Sequence, residues 1–380
     1  MSEAEFIYLD NNSTSRIDPL VLEVMQQAHE VAYANPGSRH AAGRQARRIL
    51  EDSREQIAFI LGAHPSEVIF TSGGTESINM ALWGLIYTPE GMIFSLPGEH
   101  PATTAALKKM QEQGFEIAEF PIDEQGQIIP DRLDELEWNR ARLATVLWAH
   151  NETGVIQDLS SLEKHCEEHR LPLHLDAVQA VGKMNINFKE MHVTALSFAA
   201  HKFHGPRGIG GLLLKSKCQL KPLHVGGFQE SERRAGTEPV SLIAGMAKAL
   251  ELWDSEREFR TAHLKKLQTT FENELRAALP NVVVNGAGAA SRLPNTSNVA
   301  FSGMDGEMLL IAFDLAGIAC SMGSACASGS SEPSPILLAM GTSPDVHHGS
   351  LRFSFSIQNS LEEIHTAVQR IVEIVKSEGD

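Results

Sequence analysis

Cysteine is scarce in this 380-residue chain: Cys166, Cys218, Cys320 and Cys326 are the four present, with no CxxC pair and no zinc-like Cys/His spacing. That argues against both a disulfide framework and a structural metal. The sixteen histidines are scattered, and His347-His348 is an adjacent pair rather than two ligands on one helical face, so no metal is expected. No apolar run approaches the roughly 20 residues that a membrane helix needs, which excludes a membrane span. Basic residues are outnumbered, 32 against 48 acidic, and the formal charge of -16 would repel a polyanion, so direct binding of nucleic acid is not expected. A secretory leader would start basic and continue apolar. Here Met1-Ser2-Glu3-Ala4-Glu5 is acidic and runs straight into Phe6-Ile7-Tyr8-Leu9, so a cytoplasmic location is expected.

What is present has the balance of a soluble enzyme, with 42% hydrophobic and 21% charged residues. The length exceeds what one core usually organises, so a large domain with a smaller one is expected. Short apolar runs at 68–70, 92–95, 116–120, 143–148, 172–175, 195–198 and 209–214 alternate with helical patterns such as 103–113 and 159–169. This is the rhythm of an α/β fold with a mostly parallel central sheet, whose ligands gather at strand carboxyl ends. A long charged helical pattern over 240–278, free of proline, would connect to a smaller α+β domain with strands at 282–284, 297–301 and 350–355 and helices at 307–316 and 361–377. We expect residues 1–20 to pack on that smaller domain, 21–255 to form the large one and 256–380 the small one. The Gly-, Ser- and Ala-rich stretch 317–334 cannot bury much apolar surface and is expected to be mobile.

Lys202 sits in Ser197-Phe198-Ala199-Ala200-His201-Lys202-Phe203-His204-Gly205-Pro206, and Asp176 opens Asp176-Ala177-Val178-Gln179 at the end of an apolar run. A lysine that carries an aldehyde cofactor needs small neighbours, and a carboxylate at another strand end can protonate a pyridine nitrogen. Together the two point to pyridoxal phosphate. Each alone reads equally as a surface lysine or a helix cap. Thr71-Ser72-Gly73-Gly74-Thr75-Glu76-Ser77 follows a strand and opens a helix, where free amides can cradle a phosphate or simply form a capped turn. The GxxxxGK[ST] lysine and GxGxxG spacing of nucleotide sites are both absent.

His100 follows the strand 92–95 and could stack on a ring and move protons, or cap a helix. Asn151, after the strand 143–148, could donate to a phenolate or carboxylate, or merely turn the chain. Arg352 lies inside a predicted strand, where its fork calls for a substrate carboxylate or an internal ion pair. Cys326, in Ser324-Ala325-Cys326, lies in the loop rather than in a core strand, the place of a reactive thiol. Cys320 reads as a buried small hydrophobe.

The chain resembles the cysteine desulfurases of the NifS and IscS type, within the fold-type I, class V aminotransferase-like pyridoxal-phosphate enzymes. The resemblance runs nearly end to end, through Tyr8-Leu9-Asp10-Asn11-Asn12, Asn35-Pro36, Thr75-Glu76, Glu99-His100, Asn151-Glu152, 176–179, His201-Lys202, and the Ser324-Ala325-Cys326 loop ending at Glu332-Pro333-Ser334. It implies that Lys202 bonds the cofactor and later takes the substrate α-proton, and that Asp176 keeps the ring nitrogen charged. His100 would stack and help protonate. Gln179, with Asn151 near the same edge, would bond the phenolic oxygen, while Gly74, Thr75 and His201 would hold the phosphate. Asn35, Asn151 and Arg352 would bind the carboxylate of L-cysteine, and Cys326 would take its sulfur as a persulfide, leaving L-alanine. The resemblance further implies a homodimer in which Thr237 reaches the neighbouring subunit's phosphate. It also implies a sulfur-acceptor protein, such as an iron-sulfur scaffold or a thio-modification carrier.

The chain departs from that pattern at Ala199, where the family carries a phosphate-binding serine, and over 226–233, which is bulkier and more charged than the family's glycine-rich stretch. It also stops at Asp380, without the longer tail that IscS-type members use to dock a scaffold. A selenocysteine lyase-like enzyme and a non-catalytic, cofactor-binding assembly partner are the alternatives.

Overall fold

The computed structural model describes residues 6–88, 90–322 and 334–379. After the short strand β1 (Ile7–Tyr8), the central sheet is built from β2 (Val68–Thr71), β3 (Gly91–Ser95), β4 (Phe115–Glu119), β5 (Ala141–Leu147), β6 (Leu173–Asp176), β7 (Ala195–Ala199) and β8 (Gly210–Leu214). Their spatial order is β2-β8-β7-β6-β5-β3-β4. All neighbours pair in parallel except β8, which runs antiparallel to both β2 and β7. β5 to β8 are buried almost throughout because helices cover both faces.

Helices α1 (Pro19–Val31), α2 (Ala41–Ile60), α3 (Gly74–Gly84), α4 (Pro101–Glu112), α5 (Ser160–Glu168) and α6 (Val240–Ser255) supply that cover. Side chains alternate along each strand with a period of two. Phe70 and Leu213 therefore face the core shared with α2 and α6, whereas Ile69, Leu212 and Leu214 face the one shared with α3 and α4. The close approach of β8 to β7 needs its glycines: a Cβ on Gly211 would sit 2.3 Å from the Phe198 ring.

The helical pattern over 240–278 folds as two helices, α6 and α7 (Arg257–Ala278), broken at Glu256 with φ -114° and ψ 14°. The break has a packing cause. α6 buries Ile243, Met246 and Leu250 with the central sheet, whereas α7 buries Leu264, Leu267 and Phe271 in a second core. That core also holds Ile7, Leu9 and Phe353. It is built on the antiparallel strands β9 (Val282–Val284), β10 (Thr296–Phe301) and β12 (Ser350–Ser354), with β11 (Ile318–Ala319) pairing in parallel with β1. α8 (Gly306–Leu315) and α11 (Leu361–Gly379) pack there, while α9 (Pro335–Ala339) and α10 (Pro344–His347) are short turns of helix. No helix among the described residues is long and apolar enough to cross a membrane.

Candidate active site

Because β8 is antiparallel to both β2 and β7, β2 points the same way as β3, β5, β6 and β7. The carboxyl ends of these five strands therefore meet at one edge. Gly74 and Thr75 follow β2, His100 follows β3, Asn151 follows β5, Asp176 ends β6 and Lys202 follows β7. With Gln179, His201 and Arg352 they line one cavity of about 560 Å³.

At one end of the cavity α3 starts from Gly73 with no side-chain cap, leaving first-turn amides for an anion. Gly74 is required there, since a Cβ would lie 2.8 Å from Val178 Cγ2. Ala199 also lines the cavity beside this helix start. Further in, Asp176 is 1% exposed and accepts from the Val178 amide at 3.0 Å. Burial pushes its pKa up to about 6, against the Val178 N–H and the charge of Lys202. Beneath it, His174 bridges Thr145 Oγ1 and Ser197 Oγ at 2.9 Å each, tying β5, β6 and β7 together.

Lys202 Nζ donates to the carbonyls of Asn12, at 2.6 Å, and Ser13, at 2.8 Å. Burial, followed by the charge of Arg352, brings its pKa down to about 8. His100 lines the cavity and also caps α4: its Nδ1 accepts from the Ala102 amide at 3.1 Å, which leaves the proton on Nε2. Burial and Lys202 lower its pKa to about 4, and the same two causes bring His201 to about 4. Arg352 is 4% exposed and makes the internal ion pair that is one of its two sequence readings. Its Nη2 bonds Asp10 Oδ1 at 2.7 Å and Ser13 Oγ at 2.8 Å, its Nη1 bonds the Asn151 carbonyl at 3.2 Å, and its buried Nε has no partner among the described residues.

Two sequence candidates, Asn35 and Thr237, are not brought into this lining. Asn35 is exposed, and its side chain accepts from the Gly37 amide at 2.8 Å. Thr237 lines a separate open cleft of about 840 Å³ with Glu76, Arg234 and the glycines 226 and 227; that cleft meets the cavity at Thr75. Cys326, with the rest of 323–333, lies outside the described residues, so of the segment 317–334 only 317–322 and Ser334 are described. The bulky stretch 226–233 is anchored by Glu230, whose carboxylate takes a bidentate bond from Arg54 at 2.8 and 2.7 Å. Glu230, Ser231 and Glu232 all hold positive φ.

The cavity also has walls that sequence reasoning did not assign: Asp10, Asn12 and Ser13 from the N-terminal segment, and Cys320, Ser321 and Met322. Cys320 both packs against the second core, as its sequence reading expects, and lines the cavity, with its thiol pushed up by burial. Asp10 and Asn12 stood only inside the resemblance, because their partners lie hundreds of residues away. Among the described residues no group of three His, Cys, Asp or Glu side chains is placed to hold a metal ion.

The chain matches the family described as aminotransferase class-V over residues 7–366. It is 39% identical to a cysteine desulfurase of Nostoc sp. over 97% of this chain and 93% of that protein. The chain belongs to the class-V aminotransferase family, in its cysteine desulfurase branch. A solved structure of a NifS-like protein superposes with a TM-score of 0.91 at 32% identity, covering 98% of this chain and all of the other. SspA in complex with cysteine matches with a TM-score of 0.81 at 28% identity, over 92% of this chain and 98% of that one.

Cysteine desulfurases of this family use pyridoxal phosphate. The residues fit that group. The uncapped start of α3 suits a phosphate, the buried Asp176 carboxylate suits a protonated ring nitrogen, and Lys202, with its pKa near 8, suits an aldehyde. The unpartnered Arg352 Nε suits the carboxylate of an amino-acid substrate.

Proposed function

We propose that this desulfurase converts L-cysteine to L-alanine and stores the removed sulfur as a persulfide on Cys326 for transfer to an acceptor protein. The observation that carries this reading is the convergence of Lys202, Asp176, His100, Asn151 and Arg352 on one cavity. When bound, pyridoxal phosphate supplies an aldehyde that takes up an amino group and a ring that draws electrons from the attached carbon.

The chain's own residues do the rest. Gly74, Thr75 and His201 would hold the phosphate, Asp176 the proton on the ring nitrogen, and Gln179 the phenolic edge. Arg352 offers its Nε to the substrate carboxylate, with Asn35 and Asn151 as further carboxylate partners. Lys202, neutral above its lowered pKa, takes the α-proton, and His100 offers its Nε2 proton beside it. The Cys326 thiolate attacks the substrate sulfur. The S–S bond forms as the carbon–sulfur bond breaks, and the electron pair left on carbon is protonated to give alanine, so L-cysteine plus a thiol becomes L-alanine plus a persulfide. Two observations support Cys326. The chain enters 323–333 from Met322 on the cavity wall and leaves it at Ser334, whose hydroxyl donates to Glu152, the neighbour of Asn151. Burial also raises the pKa of Cys166, Cys218 and Cys320, which makes all three poor nucleophiles.

The acceptor in this reading is an iron-sulfur scaffold or a thio-modification carrier, and the enzyme is a cytoplasmic homodimer with Thr237 completing the partner's phosphate site. Residues 21–255 form the cofactor-binding domain, and 256–380, joined by 1–20, form the smaller one. The two separately packed cores support that division. The test is to treat the holoenzyme with L-cysteine, alkylate it and map thiols by mass spectrometry. An added sulfur on the peptide containing Cys326 is expected, and an added sulfur on Cys320 alone would overturn the assignment.

A further inference from the structure

Behind Gln179 lies a lysine that none of the steps above uses. Lys183, four residues on, donates from Nζ to Gln179 Oε1 at 2.5 Å and to Asn12 Oδ1 at 3.1 Å. Among the described residues no carboxylate lies within ion-pair distance of it. Lys183 is partly buried, and an ammonium drawn out of water without a counter-ion is unfavourable and is retained where its hydrogen bonds fix something else. Burial, then the charges of Lys202 and Arg352, hold Lys183 well below its usual pKa.

What it fixes is an amide orientation. The oxygen and nitrogen of a glutamine are interchangeable in shape, and only their partners decide which way each points. The other end of Gln179, Nε2, donates to the Asn12 backbone carbonyl at 2.9 Å, an atom that can only accept. Asn12 is itself fixed, because its Nδ2 donates to the Asn151 carbonyl at 3.1 Å and to Thr296 Oγ1 at 2.8 Å, turning its Oδ1 toward Lys183. Lys202 donates to the same Asn12 carbonyl. The amide nitrogen of Gln179 and the cofactor lysine therefore converge on one atom, while Lys183 holds the opposite end of the glutamine.

We infer that Lys183 is a positioning residue that clamps the Gln179 carbonyl and so presents the Gln179 amide N–H to the phenolic edge of the cofactor. This rests on the role of Gln179 proposed above. A donor to the phenolic oxygen stabilises its anionic form and makes the adjoining cofactor–Lys202 linkage easier to deprotonate. Losing that donor raises the pH at which the linkage titrates. The groups facing Lys202 are Arg352, Asp176, Asp10 and Lys183, with His100 and His201 beside them; Lys183 also faces His204.

The experiment follows the visible absorbance of the holoenzyme against pH, without substrate, for wild type, Lys183→Met, Gln179→Ala and the double variant. Both single variants are expected to move the midpoint upward by about one pH unit, the scale of one lost hydrogen bond to a charged oxygen. The double variant is expected to move no further than Gln179→Ala alone. A Lys183→Met protein that titrates like wild type while Gln179→Ala shifts would overturn the role of Lys183 and leave that of Gln179 standing. Additive shifts would overturn it too, since Lys183 would then act through charge and not through the glutamine. No shift in Gln179→Ala would overturn the underlying reading. Should Lys183→Met not fold, Lys183→Ala, which removes the donor and leaves room for water beside Asn12, gives the same readings.

Discussion

Arg352, which is buried, pairs across almost the whole length of the chain with the half-buried Asp10, Nη2 lying 2.7 Å from Oδ1. The guanidinium assigned to the substrate carboxylate is thus already neutralised, and among the described residues its Nε is the nitrogen without a partner. Replacing Arg352 by glutamine is expected to raise KM for L-cysteine by about 10- to 100-fold, the scale of a charge-assisted hydrogen bond, with a smaller effect on kcat. Asp10→Asn should lower KM several-fold at low ionic strength, because the internal competitor loses its charge. Steady-state kinetics of both variants check this, and a rise in KM for Asp10→Asn would show that Asp10 helps to seat the substrate.

Lys202 should load its cofactor in a pH-dependent way. Only the neutral amine attacks an aldehyde, and burial with the Arg352 charge brings its pKa down to about 8. Cofactor uptake by the cofactor-free protein is expected to quicken about tenfold per pH unit up to about pH 8 and then level off. In Arg352→Gln the levelling-off point should move upward. Stopped-flow absorbance after adding pyridoxal phosphate measures both, and a profile still rising through pH 10 would contradict the lowered pKa.

The sheet was legible in the sequence because its strands are short, apolar and punctuated, as in 68–70 and 195–198. The reversal of β8 was not, since periodicity carries no direction. It follows from the connection 200–209, too short for a crossover helix. The site was legible where a residue type is odd for its place, as with Arg352 in a strand or Lys202 among small residues. It was not legible where the role arises from contacts distant in sequence. Asn12 looks like a turn residue until Lys183, Asn295 and Thr296 close around it. His100 shows that a helix-capping residue can also line the cavity, since its Nδ1 caps α4 there.

Ala199 offers a gain-of-function test. It lies beside the uncapped start of α3, where a hydroxyl would face the phosphate. Ala199→Ser is expected to tighten cofactor retention about fivefold, corresponding to about 1 kcal/mol for one added hydrogen bond. Equilibrium dialysis of the loaded protein checks this, and weaker retention in the serine variant would mean that the phosphate sits elsewhere.

Glu99 should make stability pH-dependent. It is 4% exposed, and its Oε1 accepts from the Leu147 amide at 2.7 Å. Burial, then the nearby Asp176, pushes its pKa from 4.5 up to about 8. Between those values the folded protein holds a proton that the unfolded chain has released, so this group's contribution to stability falls as pH rises and is flat above about 8. Glu99→Gln mimics the protonated form. The Tm of the cofactor-free variant relative to wild type should climb across that window and then hold constant. A pH-independent difference would place Glu99 in its ionised form throughout.

The central claim is that sulfur leaves L-cysteine by attack of Cys326. Alanine release from L-cysteine, with a reducing agent present and sulfide assayed in parallel, tests it directly on wild type, Cys326→Ala and Cys320→Ala. Wild type and Cys320→Ala should release alanine, and Cys326→Ala should release none while keeping its cofactor absorbance. Alanine from Cys326→Ala at the wild-type rate would contradict the account and favour a lyase that needs no acceptor thiol.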